Sequence, residues 1–130
     1  MIVADASAVV EVLLNTPAGD EVTRHLFAEG ESIHVPHLLD LEILHVLRRY
    51  ARTAAFGSLR AEQALQDYAD LPLNRYAHLV LLPRIWELRH NWTAYDAAYI
   101  ALAEELSAPL LTRDRAFASG SGHRAKILLL

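Results

Sequence analysis

Cysteine is absent from the 130 residues, which excludes disulfides, thiolate zinc sites and a cysteine nucleophile together. Lysine is almost absent as well: the basic residues are eleven Arg and the single Lys126. Arginine suits phosphates and planar groups, and it is equally what a GC-rich genome supplies. No excess of positive charge comes with it. The formal net charge is −4, which argues against a protein that grips nucleic acid by bulk charge. It does not exclude a nuclease, because carboxylates that hold divalent cations are counted here without their metal. No apolar run approaches the length of a membrane span, and no signal peptide precedes the first apolar stretch, so a cytoplasmic protein with no membrane partner is expected. Internal repeats, low-complexity blocks and linkers are missing too. With 53% hydrophobic and 22% charged residues, the expectation is a single folded domain over residues 1–130.

What is present is organised around Ile2-Val3-Ala4-Asp5-Ala6-Ser7. This reads as a short buried strand ending in Asp5, with Ser7 placed to cap the helix that follows. An unpaired carboxylate in a core is expensive, so Asp5 sits at the strand's open end, binds something positive, or is itself the cap. Further along, helices are expected over residues 17–28, 37–53, 60–71, 78–90 (with Pro83 starting or kinking the last) and 94–106. Strands are expected over 32–35, 72–76, 109–112 and 127–130, with a helical turn over 116–118 and a flexible loop at 119–122. Alternating strands and helices with short connections predict an α/β fold, a central and mainly parallel sheet flanked by helices.

Four carboxylates stand out. Asp5 and Asp114 each follow a strand and each has a hydroxyl residue two positions away, Ser7 and Thr112. Asp96 lies in the first turn of its helix, three residues after Thr93, where it either serves the helix N-terminus or faces a site. In the long helix, a 100° repeat centres the apolar stripe on Leu39, Ile43, Val46 and Tyr50, and puts Glu42 on its edge. If these acids converge, their repulsion is tolerable only with cations or retained protons. Oxygen ligands without cysteine favour Mg²⁺ or Mn²⁺ over zinc. Such ions activate water and offset charge on a phosphoryl group, which points to a metal-dependent phosphodiesterase.

At these residues the sequence resembles PIN-domain ribonucleases of the VapC toxin type. The matching pieces are Val3-Ala4-Asp5-Ala6-Ser7, Glu42 in its Leu- and Arg-rich helix, Thr93-Ala94-Tyr95-Asp96-Ala97-Ala98-Tyr99 and Leu111-Thr112-Arg113-Asp114. The resemblance implies a PIN-like α/β/α sandwich whose acidic pocket holds Mg²⁺ or Mn²⁺ and cuts RNA, transfer or ribosomal RNA in the first instance. It implies that Asp5, Glu42, Asp96 and Asp114 are the metal-binding, catalytic acids, with Ser7 and Thr112 supporting them. It also implies a cognate VapB-type antitoxin, a toxin homodimer and a toxin–antitoxin hetero-oligomer, in which the chain is the toxin of a type II toxin–antitoxin system. Cut products would carry a 5′-phosphate and a 3′-hydroxyl.

Other residues are given quieter readings. Asp40 is expected near the surface. Arg113 and Arg115 either hold RNA phosphates or pair with the acids. No histidine pair has zinc-helix spacing, and His45 is the only histidine near the acids in sequence. Trp86, Trp92, Tyr95 and Tyr99 are read as core. A phosphate receiver is a weak rival, since the lone Lys126 is badly placed for one. The remaining alternative is a catalytically silent PIN-fold module that binds RNA or protein.

Overall fold

The computed structural model describes residues 1–130. Its first half runs β1 (Ile2–Ala4), α1 (Ala6–Leu13), α2 (Gly19–Leu26), β2 (Ile33–Pro36), α3 (Leu38–Ala51), α4 (Gly57–Ala69) and β3 (Leu73–Tyr76). A 3-10 turn (Leu79–Leu81) then leads into α5 (Leu82–Glu87), α6 (Ala94–Leu106), β4 (Leu110–Thr112), α7 (Arg115–Ser119) and β5 (Ile127–Leu129). The strands form one sheet in the order β3-β2-β1-β4-β5, and every neighbouring pair is parallel. From β1 the chain builds outward through β2 and β3, then crosses back to add β4 and β5 on the other side. Strand order therefore reverses between β1 and β4. Beyond the carboxyl ends of two such strands a crevice is left, which is where open α/β sheets bind their ligands.

β1 and β4 are buried along their whole length, as strands covered by helices on both faces are. The edge strand β3 instead exposes Asn74 and Arg75, polar groups that discourage pairing with another chain. The helix α6 begins at Thr93, whose hydroxyl accepts the Asp96 amide at 3.2 Å. Every residue from Ala97 to Ala103 is buried, because the alanines let the helix lie close against β1, β2 and β4.

Two expectations change. In α3 the buried face is Leu38, Leu39, Ile43 and Leu47, not the stripe through Val46 and Tyr50. Packing against α4 draws Leu47 inward, while Tyr50 lies outside on Phe56, ring centroids 5.2 Å apart. The Ser119 to Gly122 loop, expected to be flexible, is anchored. The Trp92 indole donates to the Ser121 carbonyl at 2.7 Å and stacks on Phe117 at 5.4 Å. Arg84 adds a hydrogen bond to the Gly122 carbonyl at 3.2 Å. Gly120 permits this, since a Cβ there would run into the Trp92 ring.

Candidate metal centre

Asp5 follows β1 and caps α1. Its Oδ1 accepts the Ala8 amide at 3.0 Å and the Ser7 hydroxyl at 2.7 Å, and its Oδ2 accepts the Thr112 hydroxyl at 2.5 Å. The cap is thus Asp5 itself, and Ser7 sits inside the first turn of α1. This corrects the placing of Ser7 as the cap and bears out the alternative in which Asp5 is itself the cap, and the reason is local. Asp5 has the extended backbone a cap needs, with ψ at 173°, so the shorter reach from residue 5 to the amide of residue 8 wins.

The network continues across the sheet. Thr112 accepts the Asp114 amide at 2.9 Å, and Ser7 accepts the Arg113 amide at 2.9 Å. Asp114 in turn caps α7 through the Ala116 amide at 2.9 Å. Two strand ends and two helix starts are thereby tied into one polar seam around Asp5, which is only 4% exposed.

A pocket of about 800 Å³ opens beside this seam, and Asp5, Glu42, Asp96 and Asp114 all line it. They arrive from four elements: the end of β1, the middle of α3, the first turn of α6 and the turn after β4. No Lys or Arg lines the pocket. None of the four acids has an ion-pair partner, while Asp40 pairs with Arg75 and Arg113 reaches Glu11 at 3.8 Å. Asp40 lies outside the pocket, near the surface as expected, and holds the Tyr68 hydroxyl. Arg113 pairs with none of the four acids; its ion-pair partner is Glu11.

The electrostatic consequence is visible in three of the acids. Burial pushes the Asp5 carboxyl above its ordinary range, and Asp114 adds to the rise, against the hydrogen bonds from Thr112, Ser7 and Ala8. Glu42 is raised by burial and by the charges of Asp5 and Asp96. Asp96 is raised by burial and by Asp114. Excess negative charge in a half-closed, partly desolvated cavity is what a cation relieves.

The donors fit a hard divalent ion. They are oxygens only, although no three acidic or histidine side chains stand close enough together to hold an ion by themselves. Mg²⁺ characteristically binds through one or two carboxylates, keeps several waters and takes its remaining contacts from a substrate phosphate. An acid-lined cavity leaves room for those waters and that phosphate.

Three features of the pocket were not legible in the sequence. His37 and His78 line it beside His45, brought there by the β2–α3 and β3–α5 connections. His78 accepts the Leu38 amide at 3.1 Å and so holds the start of α3. Tyr95 also lines it, 67% exposed, and Trp86 nearby in the chain is 67% exposed. Neither is the core residue the sequence predicts; Trp92 and Tyr99 are buried as expected.

With this geometry in hand, comparison with known proteins is direct. The sequence matches the PIN domain family profile over residues 2–121. It is 47% identical over 114 residues to ribonuclease VapC9 of Mycobacterium tuberculosis, covering 88% of this chain and 86% of that protein. It is 38% identical to ribonuclease VapC12 of the same organism, over 100% of this chain and 99% of the other. Among solved structures, VapBC2 of Rickettsia felis, bound to a DNA fragment of its promoter, superposes with a TM-score of 0.71 at 14% identity, covering 98% of each chain. The VapC20 toxin of Mycobacterium tuberculosis, described as cleaving the sarcin–ricin loop, gives 0.65 at 16% identity over 95% and 99%. The chain belongs to the PIN-domain family. Within that family it falls among the VapC ribonucleases, the toxins of VapBC systems.

Proposed function

We propose that this protein is a divalent-metal-dependent endoribonuclease acting as the toxin of a type II toxin–antitoxin pair. One observation carries the reading: four carboxylates from four elements line a single pocket that contains no Lys or Arg. Asp5, Glu42, Asp96 and Asp114 are the residues proposed to hold Mg²⁺ or Mn²⁺. When bound, such an ion supplies activation of water and offsets charge on the phosphodiester during in-line displacement. The chain's own part is placement. Ser7 and Thr112 hold both Asp5 oxygens, Thr93 orders the turn that carries Asp96, and the α7 cap orders Asp114. Leu38, Val46 and Phe117 line the same pocket and exclude water from part of it.

Growth arrest follows most simply if the substrate is transfer or ribosomal RNA, cut in the cytoplasm where translation runs. The VapC relatives and the toxin–antitoxin complexes among the structural neighbours support a cognate VapB-type antitoxin and a toxin–antitoxin hetero-oligomer; a toxin homodimer is part of the same proposal. The test is incubation of antitoxin-free protein with a total small-RNA pool and Mg²⁺, with EDTA and Asp96→Asn as controls. Discrete cuts lost in both controls are expected. Folded, metal-loaded protein that cuts no RNA would favour a silent binding module.

Because the chain carries a net charge of −4, RNA is held by something other than bulk attraction. The exposed Tyr95 ring, next to Asp96, offers a face on which an unpaired base can stack. Tyr95→Ala is expected to raise KM for RNA about ten-fold with a smaller change in kcat, as loss of one base–aromatic stack does. Tyr95→Phe should retain most of the affinity. Steady-state kinetics on one defined RNA checks both.

A further inference from the structure

Tyr99 is a core residue that ends in a polar group. It is 1% exposed, within the buried run of α6. A phenol buried this deeply needs a hydrogen-bond partner, and the one it has is Glu42. The Tyr99 hydroxyl donates to Glu42 Oε2 at 2.8 Å. This is the only hydrogen bond made by the Glu42 side chain, whereas the Asp5 carboxylate receives three.

The contrast matters because the two acids are placed differently. Asp5 is fixed by its own backbone turn. Glu42 stands in the middle of α3, half-buried, on a stem with three rotatable bonds. Without an anchor its carboxylate would sample several rotamers across the pocket mouth. Tyr99 lies three residues after Asp96, on the same face of the same helix. The helix that presents Asp96 therefore also sets the carboxylate of Glu42 from another element, and Oε1 is left free of any protein partner.

We infer that Tyr99 is a positioning residue that locks the Glu42 carboxylate into the arrangement from which it binds a divalent cation. The inference rests on the metal-dependent reading above. Tyr99→Phe keeps the ring and its packing and removes only the hydroxyl. Mn²⁺ binding, followed by calorimetry or by the loss of the free-ion EPR signal, is expected to weaken about ten-fold, as when a group orienting a ligand is removed. The Mg²⁺ concentration for half-maximal RNA cleavage should rise by the same factor, with most of the rate recovered at saturating Mg²⁺.

Glu42→Gln supplies the control, since glutamine still accepts the Tyr99 hydroxyl but carries no charge. In that background Tyr99→Phe should weaken Mn²⁺ binding no further, because the two residues act as one unit. A lower melting temperature with unchanged Mn²⁺ affinity and Mg²⁺ dependence would overturn the inference and leave Tyr99 a packing residue. So would additive losses in the double variant. Wild-type protein that binds Mn²⁺ but cuts no RNA would remove the ribonuclease reading while the Mn²⁺ data still decide the role of Tyr99. Wild-type protein that binds no Mn²⁺ overturns both.

Discussion

Replacing Asp5 by Asn is expected to stop RNA cleavage while raising the melting temperature measured in EDTA. Asp5 sits in the polar seam as a buried carboxylate without a cationic partner, and burial raises its proton affinity. The charged form is therefore held at a cost in the metal-free fold. Asparagine caps helices as well as aspartate does, and its oxygen can keep the Ala8 and Ser7 hydrogen bonds. Its amide then faces Thr112, whose hydroxyl turns to Ser7, 3.3 Å away. The gain is about 1 kcal/mol, within the range for relieving a strained functional group, or a few degrees in Tm. Cleavage is expected to fall by roughly 10²-fold or more, since a charged group proposed to hold the metal is gone. Asp5→Ala behaves differently. It removes the cap, at a cost of about 1 kcal/mol, and leaves the Ser7 and Thr112 hydroxyls without their acceptor, so the melting temperature falls. Opposite signs for the two variants in EDTA, read by calorimetry or circular dichroism, identify Asp5 as a site residue held against the fold's preference.

The second large effect is stabilisation by the metal itself. A ligand that binds only the folded state adds RT ln(1 + [L]/Kd), about 2.7 kcal/mol at a hundred times Kd. For a domain of this size that is a rise of about 10 °C. The rise depends on pH in a defined direction. Asp5, Glu42 and Asp96 have raised proton affinities in the fold, chiefly through burial. The folded state therefore holds protons more tightly than the unfolded chain, and these groups stabilise the metal-free protein as pH falls towards their raised values. Mg²⁺ requires the ionised carboxylates, so its stabilisation is largest near pH 8 and shrinks as pH falls towards 5. His34 works the other way: burial lowers its proton affinity, so its neutral form contributes stability that acid removes. Subtracting the EDTA curve from the Mg²⁺ curve at each pH cancels His34 and leaves only the groups linked to the ion. A metal-induced shift that is flat across this range would mean that the ion binds elsewhere.

Legibility in the sequence followed the range of the interaction that decides each feature. The helix α6 was legible to the residue, because its start is set locally by Thr93 and its end by Ser107 in a left-handed turn with φ at 50°. Strand and helix alternation was legible for the same reason, and it led to the sheet. Three of the acids were recognisable through their places at strand ends or a helix start, and Glu42 through its place at the edge of the apolar stripe of α3; the structure brings all four to one pocket. What escaped was decided by distant partners. Whether Leu47 or Tyr50 faces the core of α3 depends on α4. Whether His37 and His78 meet His45 depends on how the β2–α3 and β3–α5 connections fall beside one another. The exposure of Trp86 and Tyr95 depends on helix faces that periodicity cannot rank in segments so short. Tyr99 was legible as core, but its hydroxyl's partner lies 57 positions away.

The central claim is that these acids serve a metal-dependent hydrolysis of RNA, and the chemistry of the cut ends tests it most directly. RNA cut by the antitoxin-free protein in Mg²⁺ is ligated to adaptors that require a 5′-phosphate, and its 3′ ends are probed for a free hydroxyl. The account predicts a 5′-phosphate and a 3′-hydroxyl at each cut that EDTA and Asp96→Asn abolish. Fragments ending in a 2′,3′-cyclic phosphate would contradict it, because they report attack by the ribose hydroxyl and need no water placed by these four carboxylates.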